Sequence, residues 1–442
     1  MLQSNKRNAG FSGDGVEVSW KLAMQRENVL RRAYSPRAAR QFNDLTRLIA
    51  GVFLPSATQV AALDRSYESI GNFLTESPEF GDLVVQVYGQ GSRQIGTLVR
   101  PLHQREQGFD VDAVLLLQRR AHGVYPGASG ARQLINDLHT VLSRYAKAHG
   151  LAIERWDRCV TLVYIDGVRV DVAPVIEDPI RSIPLGGETH SRIPDRQLMT
   201  FAPTNPRGLV RGFNEAASVR AVLTNIVRDA QTADAALRAE VVPLPDVQEV
   251  SLRLLSSFVQ LMKVHRNVRF GAPKAGQEDL SPSSTFITSL MASAYARLAP
   301  VPHDTELDLL LDIIDAMPRG FHREPVGNSH ERWSLPNPWA PGDDLASSMN
   351  SSQKQQAFWA WHAQFRQEIG ELLDSLEARL GQPNVERLVE GAFGTRAAQA
   401  VRDASAPTAP TQQAGRRVLI GTASGGLTSM SANANTNFGS PR

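Results

Sequence analysis

The stretches FDVDAVLLL at residues 109–117 and VRVDVAPVI at residues 168–176 each place acidic side chains within a strongly apolar run. Side chains alternate between the two faces of a β-strand, so Asp110 and Asp112 are predicted to project to one side and the valine between them to the core. Asp171 lies in a second apolar strand, where an ionised carboxylate is costly unless a positive charge meets it. The two stretches therefore predict neighbouring strands that carry acids which need a cation.

A third stretch, VYGQGSRQIGTLVRPL at residues 87–102, supplies a glycine-serine turn after a predicted strand. Gly91 allows the backbone to approach a phosphate closely, and Ser92 offers a hydroxyl and N–H groups to hold it. Each pattern alone has an ordinary interpretation. Gly91-Ser92 could be a plain turn, Asp110 and Asp112 could lie on the solvent-exposed face of an edge strand, and Asp171 could be a buried acid with its hydrogen bonds satisfied. Their order on successive strands favours divalent cations held by carboxylates beside a bound phosphate, an arrangement suited to phosphoryl transfer.

Length and composition limit the classes of protein. A chain of 442 residues suits two lobes, because single cores stop growing near roughly 250 to 300 residues. The apolar content of 42% and charged content of 21% are typical of globular proteins, and no stretch approaches the roughly 18 uncharged apolar residues of a membrane helix. The first residues lack the apolar region of a secretory signal, so we expect a cytoplasmic protein.

The net charge and the cysteine content limit the kinds of ligand that the protein is expected to bind. The one cysteine, Cys159, excludes an intrachain disulfide and a zinc site built from cysteine pairs. A formal net charge of +2 gives no strong attraction to long nucleic acids, which usually bind to concentrated Lys and Arg. The expected ligands are small anions.

Hydrophobic periodicity predicts an α/β first half and a helical second half. In the first half it predicts two helices and four strands, the last two joined by a turn at Asp166-Gly167: helices 60–74 and 131–149, and strands 83–88, 111–117, 160–165 and 168–175. Beyond residue 215 it predicts helices only, at 247–264, 285–298, 304–317 and 355–380. We therefore expect a catalytic lobe over 1–215, a helical lobe over 216–400 and a disordered tail over 401–442, where the composition turns to small and polar residues.

Together these motifs resemble the core of bacterial cGAS/DncV-like nucleotidyltransferases, the second-messenger synthases of CBASS antiphage systems within the polymerase-β-like superfamily. The resemblance covers roughly residues 55–385. It includes further segments: LDRSYESIGNFL at 63–74, SRIPDRQLMTFAPTNPRG at 191–208, LMKVHR at 261–266, PSSTFITSL at 282–290 and LPNPWAPGDDLA at 335–346.

The resemblance implies an α+β fold: a polymerase-β-like nucleotidyltransferase lobe with a mixed β-sheet, and a helical-bundle C-terminal lobe that closes the nucleotide cleft. It implies that Asp110 and Asp112 hold two Mg²⁺ ions, for which Mn²⁺ can substitute. Asp171 is the third carboxylate of the metal site, which orients the acceptor hydroxyl and helps to deprotonate it.

The resemblance also assigns the triphosphate of the donor nucleotide to Gln90, Gly91 and Ser92, with Lys263 and Ser284 reaching it from the helical lobe. From the residues alone, Lys263 would be a solvated lysine beside an apolar stripe, and Ser284 a helix N-cap. Two departures from the family pattern are Arg93, where an aromatic residue is common, and the connector of 17 residues between Ser92 and Asp110.

The implied activity is synthesis of a cyclic di- or trinucleotide second messenger from ATP or GTP, with release of pyrophosphate, in antiphage defence. The alternatives are a polymerase-β-like transferase that acts on RNA ends, a protein or a small molecule, and an inactive nucleotide-binding scaffold. Neither a membrane nor a long nucleic acid is implied. The tail at 401–442 is either a plain end or a handle for a CBASS accessory protein.

Overall fold

The computed structural model describes residues 34–100, 109–164, 167–178, 189–224, 254–271, 277–326 and 330–405, and two further strands at 417–421 and 427–431. The turn predicted at Asp166-Gly167 is only partly inside these ranges, because Asp166 lies outside the described residues, as does the start of the helix predicted at 247. The chain divides into a main unit that ends at Ala400 and a short unit that begins at Val401.

The first lobe is built on a seven-stranded mixed sheet with the strand order β1-β2-β5-β4-β3, and β6 and β7 continue from β5. Only β2 and β5 run parallel; the other paired strands of this sheet are antiparallel. The strands are β1 (Val84–Gln90), β2 (Asp110–Leu117), β3 (Ala152–Arg155), β4 (Val160–Val163), β5 (Arg169–Glu177), β6 (Ser191–Asp195) and β7 (Thr200–Thr204).

Helices α1 to α4 accompany this sheet in the sequence: α1 (Pro36–Val52), α2 (Ala57–Thr75), α3 (Ala121–Val124) and α4 (Gly127–His149). One face of the sheet packs against α2 and α4, and the core between them contains Val111, Leu115 and Val170 of the strands with Ile70 and Leu134 of the helices. The opposite face carries a smaller apolar cluster and, beyond it, the acids. Because the pleat alternates, burying Val111 places its acidic neighbours on that opposite face.

The second lobe contains α5 (Pro206–Ser218), α6 (Leu254–Phe270), α7 (Ser284–Leu298), α8 (Glu306–Ala316), α9 (Ser352–Glu377) and α10 (Gln382–Ser405). It is not all helical as predicted, since β8 (His322–Val326) and β9 (His330–Ser334) form an antiparallel hairpin there. Hydrophobic periodicity does not predict this hairpin, because β8 is exposed along its whole length and shows no apolar alternation. Trp333, fully buried, anchors it.

Two helices complicate the predicted boundary at residue 215. Helix α1 precedes the sheet in sequence but packs against α6, α8 and α9 of the second lobe, while α5 spans the boundary and contacts β1, α6 and α7. The lobes are therefore discontinuous in sequence. In the short C-terminal unit, β10 (Arg417–Gly421) and β11 (Leu427–Ser431) form an antiparallel hairpin inside the segment predicted to be disordered.

No single helix among the described residues is long and apolar enough to cross a bilayer; α1 and α2 reach that length only as a pair bent by 48°. The fold is the predicted α+β arrangement of a mixed sheet and a largely helical second lobe.

Candidate active site

Strand register brings the predicted acids to one face of the sheet. In the parallel pair β2–β5, Asp112 lies opposite Asp171 and Asp110 lies opposite Arg169. The antiparallel pair β1–β2 places Gln90 opposite Asp112, so β1 ends beside the acids. Three separate stretches of sequence thus meet at the same edge of the sheet.

The turn after β1 is shaped around Asp112. Gly91 opens a short 3-10 turn, Gly91–Arg93, with a φ of +73°, a left-handed conformation that favours glycine. A Cβ atom at Gly91 would lie 1.9 Å from Oδ2 of Asp112. The glycine is therefore required both by the backbone conformation and by the closeness of the carboxylate, and Ser92 follows at the mouth of this turn.

The electrostatics of Asp112 show a carboxylate that lacks a sufficient counter-charge. Burial, with the nearby Asp171 and Asp110, raises the pKa of Asp112 to about 7, although Lys263 acts in the opposite direction. A carboxylate in this environment is stabilised by any cation that reaches it.

Asp171 has partners of its own. Burial raises the pKa of Asp171, while a hydrogen bond from Oγ1 of Thr161 at 2.5 Å and the charge of Arg169 oppose the rise. Thr161 is fully buried on β4, directly opposite Asp171 in register. Sequence reasoning missed Thr161, because only the β4–β5 pairing brings it to the carboxylate.

Arg169 was also missed, although alternation in VRVDV places it on the same face as Asp171. Its Nε lies 3.8 Å from Oδ1 of Asp110, and its NH2 donates to Oε2 of Glu154 at 2.5 Å. The Asp110 side chain is 71% exposed, so it has room to turn. The guanidinium group of Arg169 thus supplies positive charge beside Asp110.

Asp110, Asp112 and Asp171 lie on one face of the sheet, and their predicted role as ligands of a common ion stays a prediction. Among the described residues, no three His, Cys, Asp or Glu side chains are grouped closely enough to hold a metal ion. The acids share a face and a register, but Asp110 lies toward Arg169 and Asp171 toward Thr161. The oxygen donors and the glycine cradle fit a hard divalent ion in kind, and a ligating geometry requires rotation of the side chains.

Lys263 enters the site from the second lobe, and its interpretation as a solvated lysine is wrong. It is only 4% exposed, and its Nζ donates to the carbonyl oxygen of Thr97 at 2.9 Å. Burial and the neighbouring Arg266 lower the pKa of Lys263 to about 7, while Asp112 and Asp110 raise it. The ammonium group is therefore within electrostatic reach of the acids.

Ser284 is the first residue of α7, but it is not the cap. Ser283 is the N-cap, with its hydroxyl accepting from the backbone N–H of Phe286 at 3.3 Å. The Ser284 hydroxyl instead accepts from NH1 of Arg266 at 2.8 Å. Ser284 therefore contacts α6 through Arg266, which lies three residues after Lys263 on that helix.

A family model and two sequence relatives show what this chain is similar to. Residues 39–216 match the Second Messenger Oligonucleotide or Dinucleotide Synthetase domain, SMODS. A c-di-GMP synthase of Roseivirga ehrenbergii is 25% identical over 70% of this chain and 73% of its own length. The cyclic dinucleotide synthase CdnG of Bradyrhizobium diazoefficiens is 26% identical over 80% of each chain.

Solved structures support the fold. The structure of the B. diazoefficiens CD-NTase CdnG in complex with GTP has a TM-score of 0.54 at 21% identity, and the match covers 81% of this chain and 97% of that one. The E. coli CdnC:HORMA-deltaN complex gives a TM-score of 0.50 at 13% identity, covering 79% of this chain and 97% of the other. With the sheet register and the glycine turn, these similarities confirm the resemblance. Residues 39–216 thus match the SMODS domain, and the chain is similar over 70% to 80% of its length to enzymes described as cyclic dinucleotide synthases.

Proposed function

We propose that this enzyme makes a cyclic dinucleotide from GTP by two successive nucleotidyl transfers at the edge of the sheet formed by β1, β2 and β5. The observation that carries the site assignment is the pairing of Asp112 with Asp171 in register, beside a turn whose glycine has no room for a side chain. In each transfer a ribose hydroxyl oxygen bonds to the α-phosphorus of a triphosphate. The bond from that phosphorus to the bridging oxygen breaks, and pyrophosphate leaves. The second transfer closes the ring.

The residues that bind the triphosphate come from both lobes. The turn Gln90-Gly91-Ser92 binds the donor triphosphate through its backbone N–H groups and the serine hydroxyl. Lys263 adds positive charge from the second lobe, and Ser284, held by Arg266, contributes a further polar contact.

Asp110, Asp112 and Asp171 are the residues that would hold Mg²⁺ or Mn²⁺. Asp112 fits this role because it is desolvated and lies near two other negative charges, those of Asp171 and Asp110. Asp110 fits because its exposed side chain can turn away from Arg169. When bound, the ions supply positive charge to the phosphate oxygens during transfer. Asp171 also accepts the proton of the attacking hydroxyl, a role suited to a carboxyl whose pKa is raised by burial.

Guanine as the base and a ring of two nucleotides are inferred from the relatives, one described as a c-di-GMP synthase and another solved with GTP. The reaction is proposed to take place in the cytoplasm as part of antiphage defence. A solved CdnC complex contains a HORMA protein. By analogy, an accessory protein that acts on residues 401–442 is the partner we propose.

The test is incubation of the purified protein with each radiolabelled nucleoside triphosphate and Mg²⁺ or Mn²⁺, followed by phosphatase treatment and mass spectrometry. We expect a phosphatase-resistant cyclic dinucleotide from GTP that is absent with the double variant Asp110→Ala/Asp112→Ala. A product that needs ATP, or contains three nucleotides, would correct the substrate while keeping the reaction. Label on RNA or protein without a small product would overturn the proposal in favour of the transferase alternative.

A further inference from the structure

The segment 91–100, which we call the strap, leaves the phosphate turn and runs between two helices. Three buried side chains of α6 donate hydrogen bonds to its carbonyl groups. They are Ser256 Oγ to Ile95 O at 3.0 Å, Gln260 Nε2 to Leu98 O at 3.2 Å and Lys263 Nζ to Thr97 O at 2.9 Å. Ser256 and Gln260 are 0% exposed. The helix thus binds the strap through polar groups that are removed from solvent.

The spacing of these side chains puts them on one side of α6. Residues four and seven positions apart lie on the same face of a helix, and the neighbouring buried positions of α6 are mostly apolar. A polar side chain costs stability in such a core unless its hydrogen bonds are made. Packing alone would therefore be served better by apolar residues at Ser256 and Gln260. Oε1 of Gln260 has no partner among the described residues, so the hydrogen bond from its Nε2 to the strap is the contact that accounts for an amide here.

Helix α2 and its preceding turn fix the strap from the other side. NH2 of Arg93 lies 2.5 Å from Oδ1 of Asp64, and NH2 of Arg100 donates to Oε1 of Gln59 at 2.6 Å. The backbone N–H of Arg100 donates to the carbonyl of Phe53 at 2.8 Å. Both ends of the strap are therefore held to α2 or the turn before it, and its middle is held by α6.

Two backbone hydrogen bonds connect the strap to the phosphate turn, and the first runs from the N–H of Gln94 to the carbonyl of Gly91 at 3.2 Å. The N–H of Thr97 donates to the carbonyl of Ser92 at 2.8 Å, and Thr97 is fully buried. The carbonyl of Thr97 accepts from Lys263, and that of the next residue, Leu98, accepts from Gln260. A displacement of Leu98 would therefore be transmitted to both Ser92 and Lys263.

From these contacts we infer that Gln260 is a positioning residue for nucleotidyl transfer: it holds Leu98, and through Thr97 it sets the places of Ser92 and Lys263. The role assigned to Gln260 acts through its hydrogen bond to the strap, without contact with the nucleotide. The inference rests on the proposed role of Ser92 and Lys263 in binding the triphosphate, and it assigns to α6 a second function beyond delivery of the lysine.

The test is the variant Gln260→Met, which keeps the length of the side chain and removes the donor. We expect kcat/KM for GTP to fall about 10- to 100-fold, because small displacements of positioning groups have effects of this size. Most of the loss is expected as a higher KM, since the turn binds the triphosphate before and during the reaction. Ser256→Ala, which frees only Ile95, should act in the same direction and more weakly.

Leu261→Ala is the matched control, because Leu261 is buried on the opposite side of α6 and makes no side-chain hydrogen bond. It should lower the melting temperature with little change in KM when assayed well below that temperature. Hydrogen exchange adds a readout independent of turnover: the Thr97 amide should exchange faster in Gln260→Met than in Leu261→Ala.

A double-mutant cycle with Ser92→Ala completes the experiment. If Gln260 acts by placing Ser92, the two losses in kcat/KM should combine to less than their product. Full multiplication of the losses, or a KM in Gln260→Met no higher than in Leu261→Ala, would overturn the inference. Full activity of Ser92→Ala and Asp112→Asn would instead show that the proposed function itself is wrong.

Discussion

Gly91 and Asp112 are in close contact, because the Asp112 carboxylate occupies the space that a Cβ atom at position 91 would need. Gly91→Ala must therefore displace Asp112 as well as strain a left-handed backbone. We expect activity to fall by about 100-fold or more, because a shift on the order of 1 Å at a reacting centre has that effect. Product formation from labelled GTP measures it.

Gly150 provides the control for Gly91→Ala. It has a similar φ of +65° at the end of α4, but a Cβ there would meet nothing within 4 Å. Gly150→Ala should lower stability by about 1 kcal/mol through backbone strain and leave activity unchanged. Equal losses of activity in the two variants would contradict the assigned role of Gly91.

Asp112 is predicted to reduce the stability of the metal-free protein. Its pKa is raised to about 7 in the folded state from an ordinary value of 3.8, so the folded protein binds more protons between these values. Stability is therefore lost as the pH rises through this window, and the loss is complete above about pH 7. Asp112→Asn should stabilise the metal-free protein at pH 8 by roughly 1 to 3 kcal/mol, and the gain should vanish near pH 4.

Urea denaturation across pH 4 to 8 measures this effect, with Asp44→Asn as the control because Asp44 is exposed on α1. Addition of Mg²⁺ should raise the melting temperature of the wild-type protein and have a much smaller effect on Asp112→Asn. A variant that is less stable than the wild-type protein at pH 8 would contradict the electrostatic account of the site.

Helix α5 joins the lobes through close packing on the loop 335–346. A Cβ at Gly212 would lie 2.2 Å from Nε1 of Trp339, and the guanidinium of Arg211 lies 4.7 Å from the centre of a Trp339 ring. Gly212→Ala should therefore destabilise the protein by about 1 to 3 kcal/mol, although alanine is the better helix former. Thermal unfolding measures the change.

Gly391 in α10 is the matched helical glycine, because a Cβ there would meet nothing within 4 Å. Gly391→Ala should stabilise the protein by about 0.5 to 1 kcal/mol. In a Trp339→Ala background, Gly212→Ala should lose most of its penalty. If Gly212→Ala still lowers stability as much in the Trp339→Ala background, the steric clash is not with the Trp339 indole.

Across the main unit, α1 ties the start of the described chain to the second lobe. Phe42 on this helix is 1% exposed, and its removal is expected to cost about 3 to 5 kcal/mol. Because α1 packs against α6, α8 and α9, Phe42→Ala should weaken hydrogen-exchange protection in those helices first. The exposed Arg40→Ala should change stability by less than about 0.5 kcal/mol. Loss of protection confined to β1–β7 would contradict this assignment of α1.

The predictions that succeeded from sequence depend on local periodicity. The strands around Asp112 and Asp171 follow from apolar runs, and the predicted helix at 131–149 lies within Gly127–His149. The predictions that failed depend on pairing between distant residues. The interpretation of Lys263 as a solvated residue failed because its apolar neighbours in sequence do not reveal its buried position beside Thr97. The hairpin β8–β9 was not predicted because β8 is exposed and lacks apolar alternation.

The sequence by itself determined the resemblance to the family, the α+β class and the alternation that puts Asp110 and Asp112 on one side of a strand, since these depend on short-range pattern and motif. Only the tertiary structure decided that Asp171 lies opposite Asp112, that Arg169 contacts Asp110 and Thr161 contacts Asp171, and that α6 fixes the strap. Strand register and helix packing join residues far apart in the chain, and the spacing of residues along the chain does not encode such contacts.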